Sequence, residues 1–392
     1  MTTTPIRILN VLSYYVPHIS GLTEAVRLTS ERLAADHEFD ITVLTMRHKR
    51  ELPARENIAG VSVVRATPLV NLHKGFLSVD FLGQYRDLVR HTDLVHLHVP
   101  MLEAGVLAFL TPRSVPLIAS WYCDLAPSAR WSVLDRLAIA AVQRSCAACC
   151  RRAERVCVLS EDYAAGSALL QPFSDKLEVV YPPDNASESL RPRSPARDGR
   201  APRIGFLGRF VEEKGIDVLL KAAPKVLRRF PAAQFVLAGD YQHVAGGSEY
   251  ERLKQQIDAL GERVVLPGTL PHDELFDFYR SLDVFVLPSV NAYEAFGIVQ
   301  VEAMKAGVPV VASDLRGVRV PVQTTGNGVL APPGDAEQLA SAIVSVLECA
   351  DRYVPAEVAS RAWKHFSTAA SAETLANLYR RFTTATKSLA AR

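Results

Sequence analysis

Between Pro288 and Gly307 the chain reads PSVNAYEAFGIVQVEAMKAG, with Glu302 eight positions after Glu294 and a glycine between them. The apolar run before it, DVFVLP, has the pattern of a strand ending at Pro288. A loop carrying Glu294 follows, and Phe296-Gly297-Ile298 opens a helical pattern that ends near Gly307. The first amides of such a helix have no internal partners, and its dipole favours an anion there. Gly297 removes a side chain where a phosphate would approach. Eight residues rise about 12 Å on an ideal helix, a span like that from a sugar to a ribose across a pyrophosphate. Carboxylates at the two ends would accept hydroxyl hydrogen bonds from one ligand while backbone amides hold its phosphates. The plain alternative makes Glu294 a surface cap and Glu302 a solvated helix residue. Spacing does not choose between them.

A second element bears on the same chemistry. After the run RIGFLG comes Arg209-Phe-Val-Glu-Glu-Lys214-Gly215, again at a strand-to-helix turn. Arg209 and Lys214 would supply two cations where a departing diphosphate needs them. Taken alone, they also suit an ordinary helix start at the surface.

The surrounding chain must position these groups. Short β-rich runs alternate with longer amphipathic segments: strand patterns at 7–12, 40–45, 61–65, 93–97, 115–119, 156–159 and 177–180, with helical patterns such as 23–35 and 129–152. Apolar strands joined by helices predict a parallel sheet covered on both faces. The stretch 182–202 (PPDNASESLRPRSPARDGRAP) breaks the alternation and reads as a solvated interdomain linker. The alternation then restarts with RIGFLG, QFVLAG, RVVLPG, DVFVLP and VPVVAS, and with helices at 216–229, 250–260, 273–281, 297–306 and 336–347. Two doubly wound domains are therefore expected, 1–184 and 202–369, joined by a linker at 185–201. A final amphipathic stretch within 370–392 would pack back on the first. Ligands in such sheets sit beyond the carboxyl ends of the strands.

The motifs GRFVEEKG, VLAGD, PS, EAFGIVQVEAMKAGVPVVAS and GNGVLAPPGD occur in the order found in family 4 glycosyltransferases, and nearly the whole second domain resembles that family. The resemblance implies the GT-B fold, two facing Rossmann-like α/β domains with an interdomain cleft. It implies that Arg209 and Lys214 grip a donor diphosphate, that Glu294 and the backbone of Phe296, Gly297 and Ile298 hold sugar and phosphate, and that Glu302 binds the ribose. The nucleobase would lie near Gly268 and Leu270. Where the family has a glycine pair after the VLAGD strand, this chain has Asp240-Tyr241, a change that bears on the base or ribose pocket.

The first domain is similar to the same family more loosely. The run Tyr14-Tyr15-Val16-Pro17-His18-Ile19-Ser20-Gly21 falls where the family's Gly-Gly turn approaches the donor phosphates; here Ser20 replaces one glycine and Gly21 remains. The resemblance implies a phosphate-contacting turn, with Ser20 able to donate a hydrogen bond; a plain helix start is the alternative. His96 and His98 in DLVHLHVP fall on one side of a strand, with His98 and His18 as reaction-centre candidates beside a structural reading. The main departure is Ser120-Trp121-Tyr122-Cys123-Asp124, where many members carry a His at the position of Tyr122. A phenol, with a pKa of about 10, is a poor base at neutral pH. Tyr122 can still donate a hydrogen bond, and Asp124 can accept a proton or serve as a turn carboxylate.

The resemblance further implies retention of anomeric configuration, with the leaving phosphate taking the acceptor's proton. Catalysis would come from charge stabilisation and positioning, without a metal or other cofactor; the nucleotide-diphosphate sugar is a co-substrate. UDP is the commonest carrier; the acceptor is a lipid, a saccharide or a small natural product. Two rivals stay open, a nucleotide-sugar epimerase or hydrolase of the same architecture and a non-catalytic binding protein. A net charge of +2, 48% hydrophobic and 22% charged residues suit a globular protein and give no nucleic-acid-binding field. No long apolar run or signal-peptide pattern is read, which predicts a cytoplasmic protein. Arg144, Arg151, Arg152 and Arg155 beside an Ala/Cys-rich helix offer weak peripheral membrane contact. The six cysteines lack metal spacing and read as small reduced thiols.

Overall fold

The structure, a computed structural model, describes residues 4–72, 75–125, 132–187, 190–194, 199–242 and 247–390. The chain forms two compact units: Met1–Pro183 with Thr368–Arg392, and Asp184–Ser367.

In the first unit the strands are β1 (Ile6–Val11), β2 (Phe39–Met46), β3 (Arg55–Ile58), β4 (Val61–Ala66), β5 (Val70–Leu72), β6 (Gly75–Leu77), β7 (Leu94–Val99), β8 (Leu117–Trp121), β9 (Arg155–Val158) and β10 (Leu177–Val179). β5 and β6 pair only with each other. The rest form one sheet in the order β10-β9-β8-β7-β1-β2-β4-β3, parallel except for the antiparallel β3–β4 pair. Every residue of β7 (LVHLHV) and β8 (LIASW) is buried, as expected of central parallel strands covered on both faces. The long helix expected over 129–152 runs Val133–Arg152. Ser132 and Asp135 form a reciprocal capping box that fixes its start, and 126–131 lie outside the described residues.

The C-terminal helix Thr368–Ala390 belongs to this unit. Ala372, Leu375, Ala376 and Tyr379 join the core formed by β1 and β2. Arg380 makes a two-pronged contact with Glu38, at 2.8 and 2.7 Å. Two of the four arginines read as a membrane-facing cluster are committed internally: Arg152 donates to the carbonyls of Pro112 and Val115, and Arg155 lies over the Phe382 ring. Among the described residues no helix is long and apolar enough to cross a membrane.

The second unit contains β11 (Arg203–Leu207), β12 (Gln234–Ala238), β13 (Val264–Gly268), β14 (Val284–Leu287), β15 (Val310–Ser313) and β16 (Gly328–Ala331). Its sheet order is β13-β12-β11-β14-β15-β16, all parallel. This is a doubly wound sheet, and its winding reverses between β11 and β14.

The segment read as a solvated linker is instead partly buried in this unit. Asp184 and Arg193 are 3% and 7% exposed, and Arg193 donates to the Gly307 carbonyl and pairs with Asp283. A Pro- and Arg-rich composition conceals this, because the burial depends on partners about ninety or more positions away in sequence.

Candidate functional site

The loops after β11 and β14 leave the sheet where its winding reverses, the place where open α/β sheets bind ligands. Gly215 permits their approach: its φ is +65°, and a Cβ there would lie 2.0 Å from the Pro288 carbonyl oxygen. The Val290 amide donates to the Glu213 carbonyl at 3.0 Å, stitching the loops together. In this setting Lys214 Nζ forms an ion pair with Glu294 Oε2, the two side chains being 19% and 13% exposed. Arg209 is in the same loop with its side chain 54% exposed, 3.7 Å from Glu213. The structure thus brings Arg209, Lys214 and Glu294 to one corner of the sheet. Arg209 and Lys214 leave the strand through a short 3-10 turn, Glu212–Lys214, and not directly through an α-helix.

Gly297 (φ +80°) caps the helix Ile298–Lys305 in the left-handed region without a side-chain cap. A Cβ there would lie 2.3 Å from Leu287 Cδ2. Packing and the positive φ therefore require the glycine. Gln300 fixes the turn by donating to the carbonyls of Phe296 and Val318, at 2.6 and 2.9 Å. The Phe296 ring is buried edge-on against Phe366, so its backbone and not its ring is available to a ligand. In the first turn the Gln300 amide already donates to the Gly297 carbonyl at 3.0 Å, and the dipole at this end of the helix favours an anion.

Glu302 is not a solvated helix residue. It is 4% exposed; Tyr279 donates to Oε2 at 2.9 Å and the Asn185 amide to Oε1 at 3.4 Å. Burial, together with the nearby Asp184 charge, raises its carboxyl pKa to about 7. Gly268 ends β13 and Leu270 lies just after it, two strands from β11, which is a lateral step of about 10 Å along the same edge. Tyr241, one of the two residues in place of the family's glycine pair, turns its ring onto Tyr250 and Phe210 at 4.9 and 5.7 Å. Sequence reasoning missed Ser289, whose hydroxyl is buried at the end of β14 with no hydrogen-bond partner among the described residues. Its signal was a hydroxyl residue directly after the strand-ending proline. Lys305 and Asp184 were missed as well; their burial had no local signature.

In the first unit the candidate residues are held mostly by one another. Ser20 caps the helix Gly21–Ala35, its Oγ accepting from the Thr23 amide at 3.2 Å, and Gly21 is the first helical residue. The turn is thus a capped helix start with the Ser20 hydroxyl partly used. His18 stacks on Tyr14 at 4.5 Å and meets His48 at 5.8 Å. His48 was not singled out from sequence, yet both its ring nitrogens are buried without a hydrogen-bond partner among the described residues.

His96 and His98 do share a face of β7, with ring centroids 4.2 Å apart. His96 bonds Tyr379 and Ser120 at 2.7 and 2.8 Å, while His98 bonds Tyr122 and Asn10 at 3.2 and 3.1 Å. Burial lowers His96 to a pKa of about 3 and takes His98 well below its usual value, so both are neutral. Burial also raises Tyr122, the wrong direction for a base. Asp124 Oδ1 accepts from Trp121 Nε1 and Ser167 Oγ, at 2.8 and 2.9 Å, anchoring its turn.

Cys146, Cys149, Cys150 and Cys157 are buried free thiols, and Cys349 is exposed. Burial pushes the Cys146 thiol up to about 11 and Cys150 up to about 12. They pack as small apolar groups.

Both halves of the chain resemble known proteins. Residues 188–362 match the model of glycosyl transferases group 1, and 20–183 match a glycosyl transferase 4-like domain. The phosphatidyl-myo-inositol mannosyltransferase of Mycobacterium leprae is 31% identical over 67% of each chain. The 2-deoxystreptamine N-acetyl-D-glucosaminyltransferase of Streptomyces fradiae is 31% identical over 67% of this chain and 64% of its own, slightly less than two thirds of that relative. In fold, sucrose-phosphate synthase of Thermosynechococcus elongatus aligns with a TM-score of 0.75 at 21% identity, over 97% of this chain and 100% of that one. The chain belongs to the family 4 glycosyltransferases of the GT-B fold.

Proposed function

We propose that the second unit holds a nucleoside-diphosphate sugar along the carboxyl edge of its sheet, and that the enzyme transfers the sugar with retention of configuration and without a metal. The observation that carries this reading is the Lys214–Glu294 ion pair at the reversal point of the sheet. It puts a phosphate-binding cation and a hydroxyl-accepting carboxylate side by side, as the junction between diphosphate and sugar requires. Lys214, exposed Arg209 and the first amides of the helix Ile298–Lys305 stabilise the negative charge that develops on the leaving diphosphate. The donor displaces Lys214 from part of its contact with Glu294, freeing carboxylate lone pairs for sugar hydroxyls. The nucleoside extends toward β13, with Glu302 on the ribose and Gly268 and Leu270 near the base.

On the acceptor side, proton transfer from the incoming hydroxyl goes to the leaving phosphate. Neutral, mutually bonded His98 and Tyr122 supply no ready base, which favours that route. Two relatives are named for acceptors built on a hydroxylated cyclohexane ring, phosphatidyl-myo-inositol and 2-deoxystreptamine. A cyclitol or aminocyclitol is the acceptor class proposed for this chain.

A thermal-shift series with UDP, GDP, ADP, dTDP and CMP, without metal and then with magnesium, tests the donor half. A ligand that binds the native state raises its melting temperature by mass action. The expected result is a metal-independent shift with one diphosphate, lost in a Lys214→Ala/Arg209→Ala variant. Folded protein that responds to none of them would refute donor binding. A shift that appears only with magnesium would refute metal independence.

A further inference from the structure

One turn beyond Glu302 the same helix carries a lysine with no exposure at all. Lys305 Nζ lies 2.6 Å from Asp184 Oδ2, the side chains being 0% and 1% exposed. It also sits 3.9 Å from the centroid of the Trp363 ring, a cation–π contact. Taking two charges out of water costs several kcal/mol per ion, and well-packed apolar residues of the same volume would often hold a fold at least as well. A buried pair is therefore weak as a fold staple, and its placement points to a different task.

That placement is specific. Asp184 begins the second unit, and its neighbour Asn185 donates its amide to Glu302. One dipeptide is thus tied to two positions on one helix face, Asp184 to Lys305 and Asn185 to Glu302. Tyr279 closes the other side of the carboxylate from the helix Leu275–Arg280. Among the described residues, Arg193 and Arg200 both pair with Asp283, and Arg193 also holds the Gly307 carbonyl at the C-terminal end of this helix.

We infer that Asp184 and Lys305 are positioning residues of the donor site: their ion pair pins segment 184–185 to the helix so that Asn185 and Tyr279 aim the Glu302 carboxylate. The inference rests on the reading that Glu302 meets the donor ribose. The charges act in opposite senses. Burial raises the Glu302 carboxyl most, Asp184 adds to the rise and Lys305 opposes it, and the net value is about 7. An ionised Glu302 accepts the ribose hydroxyl hydrogen bonds, so donor affinity should rise with pH and level off above about 7.

The test is the affinity of the full-length protein for UDP-glucose, UDP-N-acetylglucosamine and GDP-mannose, measured calorimetrically between about pH 5.5 and 8.5. As phosphodiesters these probes exchange no proton of their own in that range. Asp184→Asn should move the levelling-off point down by about one pH unit and Lys305→Met should move it up by about one, a tenfold change in affinity at fixed pH on the rising limb. The double variant should return close to wild type. Weaker binding at every pH with the bend unmoved, or both bends moved in one direction, would show a merely structural pair and overturn the inference. Glu302→Gln separates the underlying reading: weak, pH-independent binding supports ribose contact, whereas wild-type affinity refutes it. Should Lys305→Met not fold, carboxyl 13C NMR of Glu302 in ligand-free Asp184→Asn decides the matter. A titration moved down supports the inference, and an unmoved one sinks it.

Discussion

Two polar clusters, His96 with His98 in the first unit and Lys214 with Glu294 in the second, handle buried polarity in opposite ways, while His48 after β2 has neither ring nitrogen bonded among the described residues. In the first unit, Asn10, Ser120, Tyr122 and Tyr379 satisfy both nitrogens of His96 and of His98. In the second, Lys214 and Glu294 have each other, Arg209 is half in solvent and Ser289 has no protein partner among the described residues. A network whose members satisfy one another rigidifies a core. Partly exposed charges at a strand-to-helix turn keep hydrogen-bonding capacity that an anion would complete. A polar residue at a strand end is therefore read by what remains unsatisfied around it, and not by its type.

The sharpest way to break that contrast is to remove the cations. Lys214→Ala and Arg209→Ala should each lower kcat by about 10²–10³-fold, as loss of one charge-stabilising donor does. Steady-state rates near wild type in both would put the second cluster in the same structural class as the first. Next in size, Glu294→Ala should cost about 10–100-fold in kcat/KM and relax the choice of donor sugar, since a hydrogen bond to a charged group is worth roughly 1.5–3 kcal/mol. The Lys214→Ala/Glu294→Ala double variant should fall short of the product of the single losses, because residues in contact couple. Full additivity in that cycle would separate their roles.

In the other cluster, His98→Ala should destabilise the protein by about 1–3 kcal/mol, by leaving Asn10 and Tyr122 without a partner, while donor-nucleotide affinity stays unchanged. Chemical denaturation beside calorimetry reads both; a large affinity loss without instability would move His98 into the donor site.

The pH response adds a sign. His96 falls from its usual 6.5 to about 3 on folding, so its contribution is present above about 6.5 and lost as pH drops toward 3. Glu302 rises from 4.5 to about 7, so its contribution is present below 4.5 and lost as pH climbs through 7. Stability curves of His96→Phe and Glu302→Gln should therefore flatten on opposite limbs, acid for the first and neutral for the second. Flattening on the same limb would contradict the assignment. The smallest effect belongs to Asp124→Asn, which keeps Oδ1 for Trp121 and Ser167 and should change turnover less than about tenfold, the size of one weakened neutral hydrogen bond.

Local signals explain how much could be read early. The apolar runs DVFVLP and VPVVAS lie in β14 and β15 because continuous β-branched runs suit only strands buried on both faces. The run GVLA, which forms β16, is four residues between turn formers and carries no measurable period. β3 (RENI) is a partly exposed edge strand with a charged sequence, and it too escaped. Arg209, Lys214 and Glu294 were legible because each follows a strand by a few residues, where a doubly wound sheet presents its loops. Asp184, Lys305 and Ser289 were not, because their sequence neighbours resemble linker, helix surface and turn.

The alternation of strand and helix, and hence two parallel α/β units, was legible in the residue order alone, together with the candidate residues at the turns that follow the strands. Only the tertiary structure decided which of those residues face one another. A charged side chain's partner lies 80 positions away for Lys214 and 121 for Lys305. The free energy of such a group is set by burial and by that distant partner, which no local pattern of residues encodes.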